Sequence, residues 1–276
     1  IPDHSAEIWR VISEDERQAG SCLLAANWTE IGPRKIDDNE ALYGRINCIA
    51  IRPNTNTLYV GAASGGIWVY DTSNIANNTT PWKTLSDYNL CTNNSGDLCA
   101  LDISDIVFRP DNPNTMYVAT GDAHIPTFND INVRLQGKSI GLLKSSNAGE
   151  TWMPCTGLVN TNLDPVNRIF RIAMHPTNYD TIIVTTNFGI YYTTNGIDFN
   201  AASFPTPNPP NNLTFVDVEF NPTNHHIVYA SNIQGEIWRS TDSGLSWTKS
   251  TINPLPNITL SRTELAVAPS NDNIVY

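Results

Sequence analysis

Long apolar runs are missing from this 276-residue chain. The longest candidates are short stretches such as Ile182 to Thr185, far from the roughly 20 residues that cross a bilayer, so no transmembrane segment is expected. Positive charge is scarce as well: 16 Lys and Arg against 27 Asp and Glu leave a formal net charge of -11. Such a chain has little with which to displace the counterions condensed on a phosphate backbone, which argues against nucleic acid as a partner. Cysteine is sparse, five residues in all, too few for a disulfide scaffold. Cys91 and Cys99 bracket a short polar stretch that could close a small loop as a disulfide or stay as two thiols. Cys22, Cys48 and Cys155 have no partner the sequence can name, and Cys48 and Cys155 fall in strand-like contexts that suit buried thiols. No cysteine has metal-ligand spacing, and neither a metal nor a cofactor is expected. What is present is ordinary for a globular protein, 40% hydrophobic residues in 30.4 kDa, enough to bury a sizeable core. The chain begins at Ile1 rather than Met, which fits a precursor trimmed of a signal peptide and hence export.

Laid against itself, the sequence repeats. An alternating apolar strand ends in Pro, a short Asn/Asp/Thr turn follows, and a second strand ends near Tyr-Val. The pattern reads Ile46-Asn-Cys-Ile-Ala-Ile-Arg-Pro53 with Leu58-Tyr-Val60, and Ile103-Ser-Asp-Ile-Val-Phe-Arg-Pro110 with Met116-Tyr-Val118. It returns as Phe170-Arg-Ile-Ala-Met-His-Pro176 with Ile182-Ile-Val184, and as Val216-Asp-Val-Glu-Phe-Asn-Pro222 with Ile227-Val-Tyr229. A fifth copy, Leu265-Ala-Val-Ala-Pro269, breaks off at Ile274-Val-Tyr276. The last two intervals between prolines are 46 and 47 residues, close to the length of a four-stranded propeller blade.

The second half of each unit supplies two more strands joined by a tight turn of the form Ser/Thr-x-Asp-x-Gly-x-x-Trp. One copy places Ser240, Asp242, Gly244 and Trp247; another places Ser145, Asn147, Gly149 and Trp152, with Asn replacing Asp. Thr193 to Phe199 is a shortened copy, and Tyr70 to Ser73 before Trp82 is degenerate. The residue types have physical reasons: Asp or Asn bonds its own turn backbone, Gly takes the positive φ, and Trp fills space between blades. Asp242 is therefore expected to be consumed by its hairpin rather than to be catalytic. Arg171, in Phe170-Arg-Ile-Ala173, has a sialidase-like setting but falls in register with the other first strands and reads as an ordinary strand residue.

These residues resemble the Asp-box (BNR-repeat) propellers, especially the branch with the sortilin-type ectodomain and the twin-propeller xyloglucanases. The resemblance covers about residues 27 to 276 and is carried most specifically by Trp28-Thr-Glu-Ile-Gly-Pro33, Gly44-Arg45, Val60-Gly-Ala-Ala-Ser-Gly-Gly-Ile-Trp68, and Ala119-Thr-Gly-Asp122 followed by Ser139 to Ser145. Such strings look like those of large, modular exported proteins of Bacteroidetes-type bacteria, which often carry a C-terminal sorting domain for type IX secretion. The resemblance implies an all-β fold of four-stranded antiparallel blades, seven when complete, with about four and a half in this chain. It also implies where catalysis would lie. The xyloglucanases have Arg-Thr-Asp-Val-Gly-Gly at the end of a second strand, and their catalytic Asp falls here on Ala63. Since glycoside hydrolysis of this kind needs paired carboxylates, the departure speaks against it, and sialidase residues are not located either.

Loop lengths point to a binding face. Turns between strands one and two, and three and four, are uniformly short, whereas the opposite face carries the extra length: Ser86 to Asp102, Gly121 to Ser139, Thr156 to Asn167 and Ser203 to Leu213. Long loops on a rigid scaffold are where recognition concentrates. Candidate ligand contacts there are Asp122, His124, Arg134 and Lys138, joined by Arg45 and Asp105 near the channel ends of inner strands; the bland alternatives are a turn cap for Asp122 and an exposed loop residue for His124. Residues 1 to 26 precede the repeat, Ala6 to Ala26 reading as helical, and residues 27 to 276 form the propeller. Because Trp28 matches an outermost strand with no earlier strands, and the fifth unit stops in its second strand, further blades are expected. The first functional expectation is a non-catalytic exported propeller that binds protein or glycan on its loop-rich face at the cell surface, as one module of a larger protein. The alternatives are a xyloglucanase- or sialidase-like glycoside hydrolase and a structural subunit of a secretion or motility apparatus, associated with an outer-membrane complex.

Overall fold

The computed structural model describes residues 45–63, 65–71, 82–85, 102–121, 139–158, 168–205, 213–250 and 263–276, all within the unit Gly44–Tyr276. The reading of residues 1 to 26 and of Trp28, and the Cys91–Cys99 loop, lie outside them.

Every named element among the described residues is a strand, and the strands form four antiparallel sheets. The first sheet holds β1 (Ile46–Ile51), β2 (Thr57–Ala62), β3 (Ile67–Asp71) and β4 (Trp82–Thr84). The second holds β5 (Ile103–Phe108), β6 (Met116–Thr120), β7 (Leu142–Ser145) and β8 (Met153–Pro154). The third comprises β9 (Ile169–Met174), β10 (Ile182–Thr186), β11 (Gly189–Thr193) and β12 (Asn200–Ala201). The fourth comprises β13 (Phe215–Phe220), β14 (Val228–Asn232), β15 (Ile237–Ser240) and β16 (Thr248–Lys249). Each sheet is ordered as the chain runs, and the first strands β1, β5, β9 and β13 lie beside one another in sequence. That is a set of blades fanned about an axis, a β-propeller with the first strand of each blade innermost.

The repeated Pro marks one turn built four times. The residue before it donates its N–H across the turn: Arg52 to Thr57 O at 3.0 Å, Arg109 to Thr115 O, His175 to Thr181 O and Asn221 to Ile227 O, each at 2.9 Å. Proline itself has no N–H to offer, so it can stand outside this ladder without leaving a donor unpaired. The fifth unit begins the same way, with Ala268 N–H on Ile274 O at 3.0 Å and a bridge between Val267 and Val275.

The core lies between blades. Cys48, Tyr59, Ile67 and Val69 pack against Ile103, Ile106, Met116 and Leu143. Tyr117 and Leu142 of the second blade meet Ile172, Ile182 and Val184 of the third. Ile183 and Ile190 of the third meet Phe215, Val218 and Trp247 of the fourth. Each fully buried aliphatic or aromatic side chain of this kind contributes about 1.5–3 kcal/mol, so the blades hold because they are stacked.

Outermost strands are shorter than the sequence pattern suggests, two residues in β8, β12 and β16, because the hairpins before them occupy the rest of the repeat. In one hairpin Ser240 Oγ donates to Asp242 Oδ1 at 2.7 Å and accepts from Gly244 N at 2.9 Å, while Ser246 N donates to Asp242 Oδ1 at 2.9 Å. Trp247 Nε1 closes it on Gly244 O at 3.0 Å. The Asn copy repeats the frame: Ser145 Oγ to Asn147 Oδ1 at 2.9 Å, Gly149 N to Ser145 Oγ at 2.8 Å, Thr151 N to Asn147 Oδ1 at 2.9 Å. Its amide nitrogen donates to Thr151 Oγ1 where Asp242 Oδ2 instead accepts from Ser246 Oγ. Thr193 and Asn195 build a third copy, with Asp198 accepting from Asn195 Nδ2 at 2.8 Å. Gly244 sits at φ 93°, and a Cβ there would come within 2.3 Å of Ile183 Cδ1 on the preceding blade; the hairpin thus needs glycine both for its conformation and for the approach of that blade.

Candidate functional site

The inner strands carry a recurring irregularity. Five residues before each blade's proline stand Cys48, Asp105, Arg171, Asp217 and, in the fifth unit, Glu264. In each of the four sheets the pairing of the first two strands shifts register at this place, and such a shift re-aims a side chain that would otherwise obey the simple alternation. In the first two sheets the residues passed over reach sideways to the next blade: Asn47 Nδ2 donates to Ile103 O at 2.8 Å, and Ser104 Oγ to Ile169 O.

The acids at this place also reach across. Asp105 accepts from Ile106 N at 2.9 Å on its own strand and from Ile172 N at 2.8 Å on the next blade. Asp217 accepts from Leu265 N at 2.6 Å in the fifth unit, and its other oxygen meets Arg171 Nε at 3.2 Å. Asp105 is 7% and Asp217 1% exposed. Burial pushes both carboxyls above their ordinary range, against Arg171 and the backbone donors that pull them down. Arg171 lies in β9 at that blade's register shift, and its guanidinium stands among Asp105, Asp217, Glu219 and Glu264. Glu219, two residues beyond Asp217, is pushed up to about 7 by burial first and then by Asp217, with Arg171 opposing. In this cluster, then, Asp105 and Asp217 are engaged by backbone donors, while no backbone donor offsets the upward push of burial on Glu219.

Of the six candidate ligand contacts read from the sequence, two lie among the described residues. Arg45 is exposed just before β1, its Nε donating to Asn47 Oδ1 at 3.1 Å. Asp105 is in the inner ring as described. Asp122, His124, Arg134 and Lys138 lie outside the described residues, as do Cys22, Cys91 and Cys99. Cys48 and Cys155 are buried free thiols; burial pushes Cys155 up to about 12 and Cys48 higher still. Among the described residues no group of three or more His, Cys, Asp or Glu is arranged to hold a metal. Sequence reading missed Asp217 and Glu219. The available signal was the repeat itself: aligned on the prolines, one position of an apolar strand reads Cys, Asp, Arg, Asp, Glu.

The end of each second strand is fixed by a bond back to the start of the first: Ala63 N to Arg45 O at 2.9 Å, Gly121 N to Asp102 O at 2.8 Å, Asn187 N to Arg168 O at 3.2 Å and Ile233 N to Thr214 O at 3.0 Å. These four residues are structurally equivalent, and none is acidic.

No protein-family model matches the sequence. No curated protein matches it. Solved structures match in fold. The GH74 xyloglucanase from Xanthomonas campestris superposes with a TM-score of 0.56 at 17% identity, over 82% of this chain and 34% of that one. The GH74 enzyme of Niastella koreensis gives 0.55 at 19% identity, over 83% and 32%. An ancestral GH74 enzyme gives 0.51 at 18%, over 74% and 24%. The chain thus spans about a quarter to a third of the length of these proteins, and the likeness is one of fold, the β-propeller.

Proposed function

We propose that this chain is a non-catalytic Asp-box propeller module of an exported protein, binding protein or glycan at the cell surface through its loop-rich face. The observation that carries the reading is the equivalence of Ala63, Gly121, Asn187 and Ile233: at the strand end where the resemblance puts a catalytic Asp, the four described blades offer no carboxylate. The deeper acids, Asp105 and Asp217, have backbone donors on their oxygens and are poorly placed to act on a substrate as acid, base or nucleophile. Recognition then falls to the loops, with Asp122, His124, Arg134, Lys138 and Arg45 as the residues of interest.

A second reading, glycoside hydrolysis, is favoured by Glu219, whose carboxyl near pH 7 beside Asp217 has the protonation behaviour of a general acid. The two separate in one experiment with the complete protein. Incubated with xyloglucan and with sialosides, it is expected to retain one of these glycans, or a surface protein, on a column without releasing reducing ends or sialic acid. Turnover that is lost in Glu219→Gln would establish the hydrolase instead.

A further inference from the structure

The residues just before the repeated prolines, Arg52, Arg109, His175 and Asn221, form a second set of fasteners on the short-turn rim. Each engages the first turn of the next blade. Arg52 Nε donates to Pro113 O at 3.0 Å, and its guanidinium also meets Asn114. Arg109 pairs with Asp180 of the third blade and with Asp111 of its own turn at 3.0 Å. Asn221 Nδ2 donates to Asp272 O at 3.0 Å. Where these three junctions use a permanent cation or an amide, the junction between the third and fourth blades uses two imidazoles: the His175 ring stands edge-on to His225 at 5.1 Å and to Phe220 at 5.2 Å.

His175 also does inside its own turn what Asn221 does in the next. Asn221 Oδ1 accepts from Thr223 N at 3.0 Å and Asn224 N at 2.9 Å. His175 Nδ1 accepts from Thr177 N at 3.2 Å and Asn178 N at 3.0 Å. An amide oxygen has lone pairs at every pH, but an imidazole nitrogen accepts only while unprotonated, so the bonding assigns the neutral Nε2–H tautomer. A proton on Nδ1 would face two N–H groups and remove both bonds.

We propose that the His175–His225 contact is a proton-operated release, which locks the third blade's turn to the fourth blade at neutral pH and frees it in an acidified medium. The groups facing His175 are consistent with this. From the fourth blade come His225, whose Nε2 lies 3.2 Å from Pro222 O, and His226, whose Nδ1 lies 3.2 Å from Ser243 Oγ in the adjoining hairpin. Asp180 of the same turn is already paired with Arg109 of the second blade. Burial, then His225 and His226, hold His175 below the ordinary histidine value of 6.5. The folded state thus prefers the neutral ring, and the contribution is complete above that ordinary value and lost as pH falls below it.

The test is amide hydrogen exchange on the full chain, corrected for the intrinsic pH dependence of exchange. Protection of residues 176–181 and 222–227 is measured at pH 7.5 and pH 5 in the wild type and in His175→Asn, which keeps an acceptor for Thr177 and Asn178 without a titrating group. Losing the two bonds is expected to reduce wild-type protection of the Thr177 and Asn178 amides by about tenfold at pH 5, with protection of residues 222–227 falling alongside as the contact opens, while His175→Asn keeps its protection at both values. Equal protection at both pH values in the wild type, or the same fall in the variant, would overturn the proposal. If the variant does not fold, a wild-type proton NMR titration of the His175 ring decides: a midpoint between pH 5 and the ordinary histidine value supports the release, and one outside that window refutes it.

Discussion

The inner ends and the outer hairpins of the blades solve the same problem, holding one sheet against the next, with opposite chemistry. At the inner end the fasteners are charged and buried. Asp105 and Asp217 each carry a backbone N–H of the following blade, and Arg171 stands beside Asp217. At the outer end the polar fasteners are local: Ser240 and Asp242 bond within their own hairpin, and the neighbouring blade is met by the Trp247 side chain and by backbone, as where Ser203 N donates to Leu245 O and Trp247 N to Ser203 O, each at 2.9 Å. The difference teaches where a ligand is least compatible with the fold. An inner carboxylate cannot be given over to a substrate without releasing the adjacent blade, whereas the hairpin bonds are closed within one blade.

The sharpest contrast comes from Trp247, 1% exposed between the third and fourth blades. Trp247→Ala is expected to destabilise by about 3–5 kcal/mol in urea unfolding, through lost burial and the cavity left behind. Asp105→Ala comes next, at about 2–4 kcal/mol, because it leaves two backbone donors without an acceptor and removes a counter-charge from Arg171; a loss under about 0.5 kcal/mol would erase the distinction between inner and outer fasteners. Ser240→Ala is expected to cost about 1–2 kcal/mol, the scale of a hydrogen-bond pair lost within one turn. The last effect is electrostatic and depends on pH. Glu219 has its folded value raised from 4.5 to about 7, so its contribution is complete below 4.5 and is lost as pH rises through 7. The urea midpoint of Glu219→Gln should therefore gain on the wild type between pH 5 and pH 8, and a constant difference would contradict the shift.

The propeller was legible because each blade repeats its punctuation. The prolines at 53, 110, 176 and 222 end the inner strands, and the Gly and Trp of the hairpins fall where the sheets turn. A periodic pattern states the same fold several times, so no single strand has to be recognised alone. The inner charge cluster was less legible, since which face a residue takes near a register shift depends on the partner strand. Asp105 could be placed near the channel from its position, but that its oxygens serve Ile106 and Ile172 could not. Arg171 read as an ordinary strand residue for the same reason: its partners Asp217 and Glu219 are more than 40 residues away in sequence.

The assignment of the inner carboxylates to holding blades together is tested most directly by the exchange rates of two amides. Ile172 and Leu265 are predicted to exchange slowly in the wild type, with Ile172 accelerating selectively in Asp105→Ala and Leu265 selectively in Asp217→Ala. Rates unchanged by the matching substitution would mean that these acids are free for other chemistry, and would reopen the inner ring as a place where reactions occur.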